Sequence, residues 1–116
     1  MANLQEQLLA AIYEESFEDA KRLARSGLDI NGVDENGAPA LYHAILKGNM
    51  SLVRLLLESG ADPNFVADEP AASIYTEKPL ELARQARFLM DWDKYAPIVK
   101  LLEDFGATDT EGKLNR

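Results

Sequence analysis

The chain contains no cysteine. That removes disulfide staples, thiolate metal ligands and thiol nucleophiles together, and it fits a reducing compartment. One histidine in 116 residues leaves little with which to build an acid–base or metal site. Cations are also scarce: 12 Lys and Arg stand against 20 Asp and Glu, a net charge of −8, and the pI is near 4.6. A surface of that sign does not hold a phosphate backbone, so nucleic acid is excluded as the main partner. No apolar run approaches the roughly 20 residues that cross a bilayer. The opening MANLQEQLLAAIYEES lacks the basic start and long apolar stretch of a signal peptide, and the expectation is a cytoplasmic chain. Neither GxxxxGK[ST] nor GxGxxG occurs, so nucleotide binding has no support. What remains is 47% hydrophobic and 28% charged, enough for one folded domain and too short for two.

The most regular stretch is 36–64, NGAPALYHAILKGNMSLVRLLLESGADPN. Ala40, Leu41, Ala44 and Ile45 form the stripe of a helix with one buried face. Leu52, Val53, Leu56 and Leu57 repeat it after the Gly48–Asn49 break. Asn49 suits an N-cap, and Gly60 stands where a helix needs a left-handed residue to stop. Two antiparallel helices this short cannot enclose a core. They leave apolar surface on both flanks and require neighbours.

The chain supplies them. Ser26-Gly27-Leu28-Asp29-Ile30-Asn31 recurs as Ser59-Gly60-Ala61-Asp62-Pro63-Asn64, an offset of 33 residues from Gly27 to Gly60, and Phe105-Gly106-Ala107-Thr108-Asp109 is a weaker copy. Gly37-Ala38-Pro39-Ala40-Leu41-Tyr42-His43-Ala44 and Lys78-Pro79-Leu80-Glu81-Leu82-Ala83 head successive helices. Over residues 3–107 the chain resembles the ankyrin-repeat family, whose repeat of about 33 residues carries a TPLHxA segment at this place. The resemblance implies an all-α solenoid of three helix pairs with projecting hairpin loops. It implies a capping repeat at 3–33, a central repeat at 34–66, a C-terminal repeat at 67–107 and a tail at 108–116. Tyr42 stands where the family has a histidine that ties backbone turns together, and Pro39 lies one place early.

Within that frame, residues 3–15 read as a helix capped by Asn3. Ser16 with Asp19 reads as a capping box for the next, which ends near Ser26. Asp34-Glu35-Asn36-Gly37 has the composition of a tight turn. The last repeat is longer, with 46 residues from Gly60 to Gly106. Six of the added residues fall in the loop FVADEPAASIYTE at 65–77. Seven fall in RQARFLMDWDKYA at 84–96, read as an overlong helix and a turn before a final helix opened by Pro97. Insertions in repeat arrays go to loops, where binding residues concentrate. The polar tail reads as loosely attached.

Chemistry finds little purchase. His43 has no serine in a nucleophile-elbow context to pair with, and its register sets it beside the buried stripe as a packed or surface residue. Carboxylate pairs such as Glu14–Glu15, Asp68–Glu69 and Asp91–Asp93 read as a solvated acidic face, since a working dyad needs a partly dry pocket. The Asp29–Gly37 run resembles a calcium loop but lacks the closing Glu. No cofactor, metal or catalytic residue is expected.

A recognition surface is expected instead. In the resembled family, partners lie against the hairpin loops and the exposed side of each first helix. Here those positions are Tyr13, Glu14, Val33, Glu35, Asn36, Ala38, Leu46, Lys47, Val66 and Gln85. The loop insertion adds Asp68, Glu69, Ile74, Tyr75 and Glu77, and the second insertion adds Asp91, Trp92, Asp93 and Tyr95. Aromatic residues among carboxylates suit an interface with a basic protein. Tyr75 and Trp92 have a second reading, folding back over the apolar flank of the last repeat. The function expected is non-catalytic binding of a basic partner as a small acidic inhibitor, like an immunity protein. A scaffold, adaptor or regulatory subunit is the alternative.

Overall fold

A computed structural model describes residues 3–34, 37–65 and 78–108. Its helices are α1 (Leu4–Tyr13), α2 (Phe17–Ala24), α3 (Ala40–Lys47), α4 (Met50–Glu58), α5 (Pro79–Leu89) and α6 (Trp92–Asp104). Each odd helix pairs with the even one that follows. α1, α3 and α5 lie side by side in one layer, and α2, α4 and α6 in a second behind it. Among the described residues there is no strand, only an isolated antiparallel bridge between Val33 and Pro39 that closes the first hairpin loop. The chain is therefore an all-α stack of helix hairpins.

Local chemistry sets most of the helix ends. The Asn3 side chain accepts the Glu6 amide at 2.8 Å, and Asn49 accepts the Leu52 amide at 3.1 Å, each satisfying a donor the helix cannot. Ser16 occupies the N-cap of α2, but its side chain makes no capping bond. The expected box with Asp19 is absent; that carboxylate lies 3.8 Å from Arg22. In the tight turn, the Asp34 amide donates to the Ala38 carbonyl and the Ala38 amide donates to the Asp34 carboxylate, both at 3.0 Å.

The turn inside each of the first two helix pairs needs a left-handed residue. Gly48 supplies it at φ 66° and Glu15, 33 positions earlier, adopts the same region at φ 55°. A β-carbon makes that conformation costly for glutamate. Glu15 returns part of the cost by accepting from the Asn49 side-chain amide at 3.1 Å, across the boundary between pairs.

Burial follows the expected stripes. Leu8, Ile12, Leu23, Leu41, Ile45, Leu52, Leu56, Leu80, Ile98 and Leu102 are closed off from solvent and continuous through the stack. Each hairpin leaves one apolar flank for the next to cover. Asparagines lock the rear. The Asn31 side chain donates to the Gly60 carbonyl at 3.1 Å and accepts the Asp62 amide at 2.7 Å. Asn64, 33 residues on, donates to the Gly106 carbonyl at 3.0 Å and accepts the Thr108 amide at 2.8 Å.

The last pair departs from the expectation. Asp91 caps the final helix by accepting the Lys94 amide at 3.1 Å, and Pro97 lies inside α6. The final helix therefore does not open at Pro97; it starts at Trp92 and forgoes the bond that a residue-97 amide would make to the Asp93 carbonyl. α5 has 11 residues against 8 in α3, and α6 has 13 against 9 in α4. Those extra residues are the whole of the seven-residue insertion, with two residues left in the turn, as at Gly48–Asn49. The insertion is thus no loop. It lengthens both helices by about one turn, roughly 5 Å.

Candidate functional site

Three features bear on function: the buried histidine, the row of first-helix ends and the projecting tip of α5 and α6.

His43 is buried at 5% exposure. Its Nε2 lies 2.8 Å from Asp34 Oδ2 and its Nδ1 2.7 Å from the Tyr13 hydroxyl. A carboxylate oxygen only accepts, so Nε2 carries a proton, and in the neutral ring Nδ1 accepts from Tyr13. The tyrosine packs edge-on at a centroid distance of 5.4 Å. Sequence reading left His43 as a packed or surface residue and missed this arrangement. The reason is that its partners come from α1 and from the hairpin loop, 30 and 9 residues away. The group ties α1, α3 and the loop together. Asp34 also has its second oxygen committed to the Ala38 amide, and the Asp29 carboxylate accepts the Asn31 amide at 3.0 Å. Asp29 and Asp34 of the calcium-like run thus each close a turn. Among the described residues no three His, Asp or Glu side chains gather as metal ligands.

The expected contact residues divide. Tyr13, Glu14, Val33, Gln85, Asp91, Trp92 and Asp93 are exposed, and Leu46 and Lys47 are half-buried. Two of the expected positions are corrected. Ala38 is fully buried, because the hairpin turns its methyl into the stack, and Tyr95 is 1% exposed because it faces α3. The Tyr95 hydroxyl donates to the Leu46 carbonyl at 3.0 Å, and burial, aided by the nearby Asp91 charge, raises its pKa above the usual 10.0. Glu35, Asn36, Val66, Asp68, Glu69, Ile74, Tyr75 and Glu77 lie outside the described residues, as does most of the tail.

Tyr42, in the place of the family histidine, fills its space and sends its hydroxyl to the Phe65 carbonyl at 3.4 Å. Its ring meets Phe65 edge-on at 6.2 Å.

At the tip, Phe88 is 72% exposed, Leu89 82%, Met90 64% and Trp92 50%. Sequence reading chose Trp92 and its flanking aspartates but passed over Phe88, Leu89 and Met90, treating them as interior to an overlong helix. The seven-residue excess can be counted in sequence, but that it carries α5 and α6 past α3 and α4, where no described helix pair covers the added turn, shows only in the structure. Phe88 and Trp92 meet edge-to-face at 5.2 Å. The Arg87 guanidinium lies 4.3 Å from the centre of the Trp92 ring. Trp92 therefore packs on its own hairpin.

A groove of about 360 Å³ also runs between α2 and α4, lined by Phe17, Met50, Ser51, Arg54, Leu55 and Glu58. No described helix is long and apolar enough to cross a membrane.

Stacked helix hairpins with a bridged loop between them define a helical-repeat protein. The family model for ankyrin repeats in many copies matches residues 8–57. An ankyrin repeat protein of fowlpox virus (strain NVSL) is 44% identical over 62 residues, 53% of this chain and 9% of its own length. Human ankyrin repeat domain-containing protein 29 is 41% identical over 58 residues, 50% of this chain and 17% of its own. The ankyrin repeat and LEM domain-containing protein 1 homolog of Caenorhabditis elegans is 31% identical over 87 residues, 75% of this chain and 12% of its own. The chain belongs to the ankyrin-repeat family. It spans less than a fifth of the length of each of these relatives. Ankyrin repeats indicate a protein–protein interaction module.

Proposed function

We propose that the chain is a non-catalytic recognition module that binds a basic protein, holding or blocking it as a small acidic inhibitor does. The observation that carries this reading is the side-by-side layer of α1, α3 and α5. On those helices and their ends the expected contact positions are Tyr13, Glu14 and Gln85, which are exposed, and Leu46 and Lys47, which are half-buried. A net charge of −8 supports a partner of opposite sign by steering its approach. The lone imidazole, held on both nitrogens, favours a structural role for the residue most suited to acid–base work. A cytoplasmic location agrees with a chain that uses no disulfide.

The test uses the chain as bait in an extract of its source cells, followed by mass spectrometry across a salt series. Capture of a basic protein that weakens steeply as salt rises supports the reading. Capture of none, or capture of acidic proteins indifferent to salt, contradicts it.

A further inference from the structure

The groups that tie the first two hairpins together also form a line of hydrogen bonds with a direction. The Tyr13 phenol meets Nδ1 of His43 at 2.7 Å, and Nε2 donates to the Asp34 carboxylate at 2.8 Å. Hydroxyl, imidazole and carboxylate in that order are a nucleophile, a base within reach of its proton and a group that orients the base. A buried hydroxyl would serve cohesion as well. Here exposure is graded instead: Tyr13 is 53% exposed, while the side chains of His43 and Asp34 are 7% and 15% exposed.

Each part of the line is fixed from behind. Because Asp34 accepts from Nε2, the neutral ring keeps its lone pair on Nδ1, the nitrogen that faces the phenol. The other carboxylate oxygen accepts the Ala38 amide at 3.0 Å, so the acid cannot leave the ring without opening its turn. The poor access of water to this contact strengthens the pull of the carboxylate on a ring that takes up a proton. Tyr13 is the last residue of α1, directly after the buried Ile12, so helix packing sets the place of the phenol.

We infer that Tyr13 is a nucleophilic acceptor for activated acyl esters, with His43 as its base and Asp34 positioning that base. The phenol oxygen bonds to the acyl carbon as its proton passes to Nδ1. The carbonyl then re-forms, the bond to the ester's leaving oxygen breaks, and the imidazolium returns the proton to that oxygen. The products are an acylated Tyr13 and the free alcohol or phenol, with the ring neutral again. The acyl group stays on the chain, so the event is a single modification and not turnover. It also removes the proton that Tyr13 gives to Nδ1, and so loosens the tie between α1 and α3. The inference goes beyond the recognition reading and stands without it.

The test treats the full chain with p-nitrophenyl acetate and follows acetylation of Tyr13 by peptide mass spectrometry. N-acetyltyrosinamide in the same solution is the reference. Tyr13 should react at least tenfold faster than the reference at pH 7.5, within the range that a positioned base supplies. Its rate should level off short of the phenolate range. The reference reacts as phenolate and gains about tenfold per pH unit up to about pH 10. In Asp34→Asn the amide presents a donor to Nε2, which moves the ring proton to Nδ1 and removes the base. That variant, with its helical circular dichroism retained, should lose at least tenfold in rate. Tyr13 reacting no faster than the reference, or following the reference's pH profile, overturns the inference whether or not the variant folds. A folded Asp34→Asn chain that is acetylated at the parent's rate overturns it too.

Discussion

Asp34 and His43 lie nine residues apart in sequence and 2.8 Å apart in space, carboxylate to imidazole, with Tyr13 of the preceding helix pair closing the other ring nitrogen. One buried ring therefore joins two neighbouring hairpins and the loop between them. The side chain that first suggests chemistry serves cohesion.

Removing the ring should cost accordingly. His43→Ala strips the carboxylate of its buried donor and leaves a void, and the expected loss is about 2–3 kcal/mol. Tyr13→Phe, which deletes one hydrogen bond at a partly exposed group, should cost about 1 kcal/mol. Urea denaturation followed by circular dichroism measures both, and equal stability of His43→Ala and the parent chain would show that the ring holds nothing.

How far this was readable from sequence differs by feature. The helix pairs were legible because apolar spacing and the 33-residue recurrence both demand them, and Asn3 and Asn49 cap where their position says. The failures share a cause. Seven added residues near Trp92 look the same in sequence whether they make a loop or extend two helices, since α5 and α6 are individually well patterned either way. Only the lengths of α3 and α4 beside them show that the extra turn stands alone. Ala38 is a contact position in the resembled family and Tyr95 a residue of the second insertion, and neither origin reveals the neighbours that bury them here. His43 stood in sequence beside its stripe as a packed or surface residue; its partners lie in other elements, which no local pattern announces.

The paired turn positions offer a swap. Glu15→Gly relieves a left-handed glutamate and should change stability by about 0 to +1 kcal/mol, the loss of its bond to Asn49 offsetting part of the gain. Gly48→Ala, at φ 66° and against the Lys94 side chain, should destabilise by about 1–2 kcal/mol. Thermal melts of the two variants should move apart; movement of both in the same direction would refute the equivalence of the two turns.

Alkaline stability should depend on Tyr95. Its raised pKa means that the folded state keeps the phenol proton where the unfolded chain has released it. The contribution is therefore full below the unfolded value near 10, and it falls as pH rises through the folded value. Tyr95→Phe should flatten that part of the stability–pH curve, at the price of the hydrogen bond to Leu46 at all lower pH. A variant whose alkaline decline matches the parent's would show that another group sets it.

Rear locking by asparagine predicts a repeat-by-repeat effect. Asn31→Ala removes two hydrogen bonds between successive pairs and Asn64→Ala three, the Thr108 hydroxyl included, and each should cost about 1–2 kcal/mol given their exposure. Hydrogen exchange should show the Asn64 variant loosening α5 and α6 first, and uniform loosening would contradict a stack held pair by pair.

The central claim is that the layer of first helices meets a protein partner. Photo-crosslinking in source cells, with a benzoylphenylalanine placed at Gln85, at Tyr13 or at Ser51 on the α2–α4 side, tests it most directly. The account predicts an adduct of one mass from Gln85 and Tyr13 and none from Ser51. An adduct from Ser51 alone, or no adduct from Gln85 and Tyr13, would contradict it.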